Sequence, residues 1–268
     1  MRQLVSIVLV LFTCSCHQKQ TYNQKEGNVT QTTIASNHIG KILFITSNQH
    51  TYGDTDINAA NHFAELVLAY DEFERAGYDV DFVSPEGGPI PIGYLNTSDS
   101  IEKKYLYDFN FMELLKTTMK PSDVVPEDYQ AVYYGGGGAA MFGVPENKLI
   151  QRISMEIYEK NKGVISAICH GSAGLVNLKT SEGEYIYKNK KVNGFPDLFE
   201  NMEATYYKQF PFSIQQLLTE RGGDFQYSKE GWDNFSIADD RLITGQDPTA
   251  AASVAQLVIN KLKSIQNP

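Results

Sequence analysis

Cysteine is scarce in this chain. There are three, at positions 14, 16 and 169, and the first two fall in an N-terminal stretch that reads as a signal. A mature chain cut before Cys16 keeps Cys169 as its one internal thiol. An internal disulfide is then excluded, and Cys169 is either a small buried hydrophobe or a working thiol. Histidine is nearly as sparse: five residues, at 17, 38, 50, 62 and 170, with none after His170. That excludes a triad whose histidine comes much later than the cysteine. No HExxH and no paired CxxC occurs, so no metal and no other cofactor is expected. The net charge is −9, and no Lys/Arg block stands out to neutralise phosphates. Nucleic acid and an acidic membrane surface are therefore poor candidates for partners.

The N-terminal run "LVSIVLVLF" is far short of the roughly 20 apolar residues of a transmembrane helix. With Arg2 ahead of it, it has the form of a signal-peptide apolar core. "TCSC" then places small residues before a cysteine and resembles a bacterial lipobox. Residues 1–16 are expected to be a lipoprotein-type signal, with Cys16 lipidated and Cys14 the weaker candidate. An ordinary secretory signal with incidental cysteines is the alternative. A lipidated protein would be exported and anchored, not spanning, on the periplasmic face or the cell surface. Residues 17–38 are polar, rich in Gln, Asn and Thr, and read as a tether. Residues 39–268 are then one large α/β domain.

Strand-like runs alternate with helical patterns through that domain. "KILFITS" is a continuous β-rich run, 57–76 has helical periodicity ending at Gly77, and "YDVDFVS" alternates as a strand before the turn signal "PEGGP". A helix is expected within 99–118, a short strand at "QAVYY" leading into "GGGG", a helix over 146–161 and a strand at "GVISAI". Further on come short strands ("KVNGF", "DFQYS", "NFSIA", "RLITG") with helices at 211–221 and 248–265. Alternation of this kind implies right-handed βαβ units and a mostly parallel sheet, in which ligands bind at the carboxyl ends of the strands. "TSNQH", "GGGGAA" and "CHG" all fall at such ends and should converge.

"AICHGSAGL" runs from a strand into Cys-His-Gly-Ser-Ala-Gly and then a helix expected to begin near Gly171. This is the layout of a nucleophile elbow, where a sharp turn lifts the nucleophile above the sheet. A helix dipole at that point would lower the thiol pKa and make Cys169 a thiolate near neutral pH. His170 is the default base and His50, in the first strand-end loop, the reserve; His62 reads as a solvated or capping residue. Glu65 shares a helix face with Ala69, Phe73 and Ala76, so it marks either the edge of an apolar stripe or a pocket carboxylate with a raised pKa.

Together "AICHGSAGL", "ELVLAYDEFERAGYDVDFVSPEGG", "KVNGFPDLFE" and "WDNFSIADDRLITGQDPTAAASVAQLV" resemble the ThiJ/PfpI superfamily, which is related to class I glutamine amidotransferases. The nearest branch is the glutathione-independent glyoxalase III and heat-inducible chaperone group. The resemblance covers about residues 40–262 and implies a flavodoxin-like α/β fold. It implies Cys169 as nucleophile, His170 as its base, Glu65 as the glutamate beside the cysteine, and Glu200 as the acid orienting the histidine, with Asp197 as a substitute. Backbone N–H groups of the loop Gly136, Gly137 and Gly138, with that of His170, would form the oxyanion site. The implied reaction converts small α-oxoaldehydes such as methylglyoxal to 2-hydroxy acids. The alternatives are a stress protein without catalysis (a holdase or a cysteine redox sensor) and an amidase or peptidase; a homodimer is left open. The loop departs from the family pattern, because Gly138 stands where a histidine is usual and Gly143 where an acidic residue is common. Ala69 likewise replaces a proline.

Overall fold

The computed structural model describes residues 38–267. The expected signal, Cys14, Cys16 and the tether up to residue 37 lie outside the described residues.

Strand β1 (Gly40–Ile45) is followed by the two-residue β2 (Asn61–His62), helix α1 (Phe63–Arg75), β3 (Tyr78–Val83) and the short β4 (Ile92–Gly93). Next come α2 (Ser100–Leu106), α3 (Phe109–Lys116), β5 (Tyr129–Tyr134), α4 (Lys148–Glu159) and β6 (Val164–Ile168). The chain ends with β7 (Lys191–Val192), α5 (Ile214–Glu220), β8 (Asp224–Phe225), β9 (Ser236–Asp239), β10 (Leu242–Gly245) and α6 (Ala251–Gln266). The six-stranded sheet has the order β3-β1-β5-β6-β10-β9. Every pairing in it is parallel except β10 with β9 at the edge. Two small parallel ribbons, β2–β4 and β7–β8, lie outside it.

The continuous apolar strands are explained by helices on both faces. In β1, Ile42 and Phe44 join one core with Val67 and Phe73 of α1 and Val254 and Val258 of α6. Their neighbours Leu43 and Ile45 point the other way, into a second core with Ile150, Ile153 and Ile157 of α4. A strand alternates faces at period two, so a strand buried on both must be apolar at every position. Each fully buried Phe or Ile stabilises the fold by about 1.5–3 kcal/mol.

Three expected helices shift. The one expected over 57–76 starts at Phe63 because Asn61 is otherwise engaged. Its Oδ1 accepts from the Ser47 N–H at 2.9 Å and its Nδ2 donates to Ser47 O at 2.8 Å, stitching β2 to the end of β1. The helix expected within 99–118 is two helices, each started by its own aspartate. Asp99 caps the N–H groups of Ile101 and Glu102, and Asp108 caps that of Phe111. The helix expected near Gly171 is a 3-10 helix over Cys169–Leu175 that begins at the cysteine itself.

Candidate active site

The carboxyl ends of β1, β5, β6 and β10 bring together the loop after Ile45, the glycine loop 135–138, Cys169 and Asp247. Cys169 sits on the elbow with φ of +52°, a left-handed conformation that costs a non-glycine residue about 1–3 kcal/mol and clusters at functional sites. The tight turn needs a bare backbone beside it. A Cβ at Gly171 would lie 2.3 Å from Tyr134 O, so strand β5 and the elbow could not approach with any side chain there.

The thiol is buried at 3 % exposure and its Sγ is 3.3 Å from His170 Nδ1. The far side of that imidazole, Nε2, is 2.8 Å from Glu200 Oε1, both side chains being nearly covered. The ring is stacked on Phe195, with centroids 4.8 Å apart. Sulfur, imidazole and carboxylate thus lie in one hydrogen-bonded line. Asp197 is not part of it: its carboxylate accepts from Ser213 Oγ at 2.7 Å. His50 is exposed on its loop and makes no side-chain hydrogen bond to the thiol.

Glu65 is fully buried. Its Oε2 accepts the Gly136 N–H at 2.8 Å. Its Oε1 has no partner of ordinary geometry, and the Cys169 thiol is the side chain in contact with this carboxyl. Loss of solvent raises the Glu65 pKa to about 8, against the opposing hydrogen bonds from Cys169 and Gly136. A carboxyl in that range is protonated at neutral pH and can donate to sulfur. Glu65 is therefore a pocket group, not the edge of a helix stripe.

Two sequence expectations need correcting. Gly136 is not free for an oxyanion, since its N–H is committed to Glu65; Gly137 and Gly138 remain, and both line the cavity over Cys169. Nor is the thiol lowered. Burial, reinforced by Glu65 when that group is ionised, pushes the Cys169 thiol well above its ordinary value, although the His170 N–H pulls the other way. The reason is local: a buried residue opening a short 3-10 turn gains little from a helix dipole and loses its hydration.

The cavity measures about 290 Å³. It is shaped by Tyr94, by Phe195, Trp232 and Pro248, which lie within the motifs of the resemblance without being marked there as site residues, and by His62. His62 stands at the N-cap position of α1, in keeping with its reading as a capping residue, but its side chain makes no capping hydrogen bond. Its ring lies parallel to Tyr94 with centroids 4.7 Å apart, and burial, helped by His170, lowers its pKa to about 4. Its Nδ1 is buried with no partner among the described residues.

Tyr52 was also missed. It occupies the space a side chain at position 138 would need: a Cβ on Gly138 would lie 2.0 Å from the Tyr52 hydroxyl oxygen. That hydroxyl is 3.0 Å from the hydroxyl of Tyr94. Gly138→Ala should accordingly cost about 1–3 kcal/mol through overpacking, and much less in a Tyr52→Leu background, measured by urea unfolding. Equal costs in the two backgrounds would show that Tyr52 is not what excludes a side chain there.

A doubly wound sheet with a strained cysteine at its carboxyl edge defines a flavodoxin-like α/β protein built around a nucleophile elbow. The DJ-1/PfpI family model matches residues 59–261, and the chain belongs to that family. It is 32% identical over 221 residues to the glutathione-independent glyoxalase hsp3102 of Schizosaccharomyces pombe, covering 76% of this chain and 90% of that one. Among solved structures, the rapid encystment protein of 24 kDa from Francisella tularensis superposes with a TM-score of 0.78 at 30% identity, covering 84% of this chain and 99% of that one. Glyoxalase III of Candida albicans superposes with a TM-score of 0.76 at 28% identity, covering 84% of this chain and 98% of that one.

Proposed function

We propose that this protein is a glutathione-independent glyoxalase of the glyoxalase III type, acting on methylglyoxal and related α-oxoaldehydes through Cys169. The observation that carries the reading is the line of Cys169 Sγ, His170 and Glu200 at the floor of a small cavity. The relatives named as glyoxalases over most of the chain support it.

Because the resting thiol is not acidified, His170 acts during attack. Sγ bonds to the aldehyde carbon while the thiol proton passes through Nδ1 to the carbonyl oxygen, giving a hemithioacetal. Nδ1 then removes the proton from that carbon, and the resulting enediol is reprotonated at the neighbouring carbon. The first carbon is oxidised to a thioester and the second is reduced to a secondary alcohol, with no outside oxidant. Water cleaves the thioester to a 2-hydroxy acid and restores the thiol. Gly137 and Gly138, with the His170 N–H once the sulfur has bonded to carbon, would receive the developing oxyanion, and protonated Glu65 would hold the sulfur.

The test is direct. Purified protein should convert methylglyoxal to lactate with no glutathione present, and Cys169→Ala should reduce the rate to background. Wild type and Cys169→Ala that are equally inert, or equally active, would overturn the reading.

A further inference from the structure

Resting on the glyoxalase reading, we propose that the cavity over Cys169 selects neutral α-oxoaldehydes carrying a planar apolar group, which packs against the aromatic wall made by Tyr94, His62, Phe195 and Trp232. Phenylglyoxal is the simplest probe of that class.

Size comes first. At about 30 Å³ per water in the liquid, a cavity of about 290 Å³ holds on the order of ten water-sized groups, roughly twice what a three-carbon dicarbonyl fills. A substrate as small as methylglyoxal leaves the aromatic wall unused.

Charge comes second. Among the described residues, no Lys, Arg, Asp or Glu lines the cavity, and burial keeps His62 neutral down to about pH 4. A phosphorylated or carboxylated aldehyde would lose its hydration without finding a counter-charge.

Hydrogen bonding comes third. The Tyr94 hydroxyl is paired with that of Tyr52 and the Glu200 carboxylate with His170. A polyhydroxylated chain would therefore find few open partners beyond the catalytic end. Ring surface remains: Tyr94, stacked on His62 within 2° of parallel, and Trp232, edge-on to Phe195 at 6.3 Å, are each more than half exposed. Such surfaces favour an aromatic or planar apolar guest.

The backbone that carries the indole is held in place. Trp232 holds a left-handed φ of +50°, and its N–H donates at 2.8 Å to Asp247, a fully buried carboxylate. That same carboxylate accepts from Thr249 N and Oγ1. The loop that carries the indole is thus pinned to the end of β10.

The experiment compares initial rates of the full chain on phenylglyoxal, giving mandelate, and on methylglyoxal, giving lactate. Expected is a kcat/KM at least tenfold higher for phenylglyoxal, with Tyr94→Ala and Trp232→Ala each pulling the ratio toward one. Binding is read separately, because Trp232 is the single tryptophan of the chain. Acetophenone, neutral and unable to complete the reaction, should quench its fluorescence saturably, and acetone at equal concentration should not. Turnover of methylglyoxal at least equal to that of phenylglyoxal, without saturable quenching by acetophenone, overturns the selection and leaves the glyoxalase reading intact. Saturable quenching with turnover of neither aldehyde supports the aromatic site and overturns the reaction.

Discussion

Glu200→Gln is expected to lower kcat for methylglyoxal by about 10²–10⁴-fold, with a smaller change in KM. The carboxylate at 2.8 Å from His170 Nε2 can only accept, so it holds the ring proton on Nε2 and leaves the Nδ1 lone pair facing Sγ. A glutamine fits the same space but can turn its amide N–H toward Nε2, which favours the opposite tautomer and occupies Nδ1 with a proton. A change of that kind at a histidine-orienting acid removes most catalysis while leaving geometry intact. Steady-state kinetics across pH, beside an unfolding curve, would separate this from simple destabilisation. A variant with wild-type kcat would mean that stacking on Phe195 alone orients the ring.

The second large effect is on stability. Glu65 has its pKa raised from 4.5 to about 8 in the folded protein, chiefly by burial. Below about pH 4.5 the folded and unfolded states are both protonated there. Between about pH 5 and 8 the unfolded chain releases the proton and the folded one keeps it, so stability falls by about 1.4 kcal/mol per pH unit. Glu65→Gln keeps an acceptor for the Gly136 N–H and a donor for the thiol, and removes the titration. Its unfolding free energy should therefore rise relative to wild type as pH increases from 5 to 8, by several kcal/mol in all. Urea midpoints for the two proteins across that range give the answer. Parallel curves would show that Glu65 is already ionised at pH 5.

The sheet was legible because its strands are buried on both faces and therefore continuously apolar, and because glycine marks the loops between them. Helix ends were less so. Asn61 looks like any polar residue until its bonds to Ser47 are known, and the pair Asp99 and Asp108 becomes two caps only once the chain is seen to turn between them. At the site, Cys169 and His170 announce themselves by adjacency at a strand end, whereas Glu200 was located by resemblance alone, since its own surroundings are loop. Tyr94 and Trp232, the latter inside a motif of the resemblance, carry no mark of facing the cavity: both reach it from irregular segments, where neither a helical nor a strand period marks what faces inward, and Tyr52 backs Tyr94 from another such segment. The direction of the Cys169 titration was not legible because it depends first on the thiol's burial, then on a carboxyl more than a hundred residues earlier in the chain, and on the turn being 3-10.

Asp247 links two parts of the molecule that have different jobs. It belongs to the strand end beside the elbow, yet it grips the backbone of the Trp232 segment through an N–H that any residue but proline supplies. Side chains along that segment can therefore be exchanged while its anchorage persists, except at Gly231, where a φ of +65° and the Phe199 ring exclude a Cβ. The reacting groups stand on the sheet and the indole side of the aromatic wall hangs from Asp247, so substrate preference can be altered through residues 226–235 while Tyr94, His62 and Phe195 stay in place. A library confined to that segment is the economical place to seek variants with a new preference and an undisturbed fold.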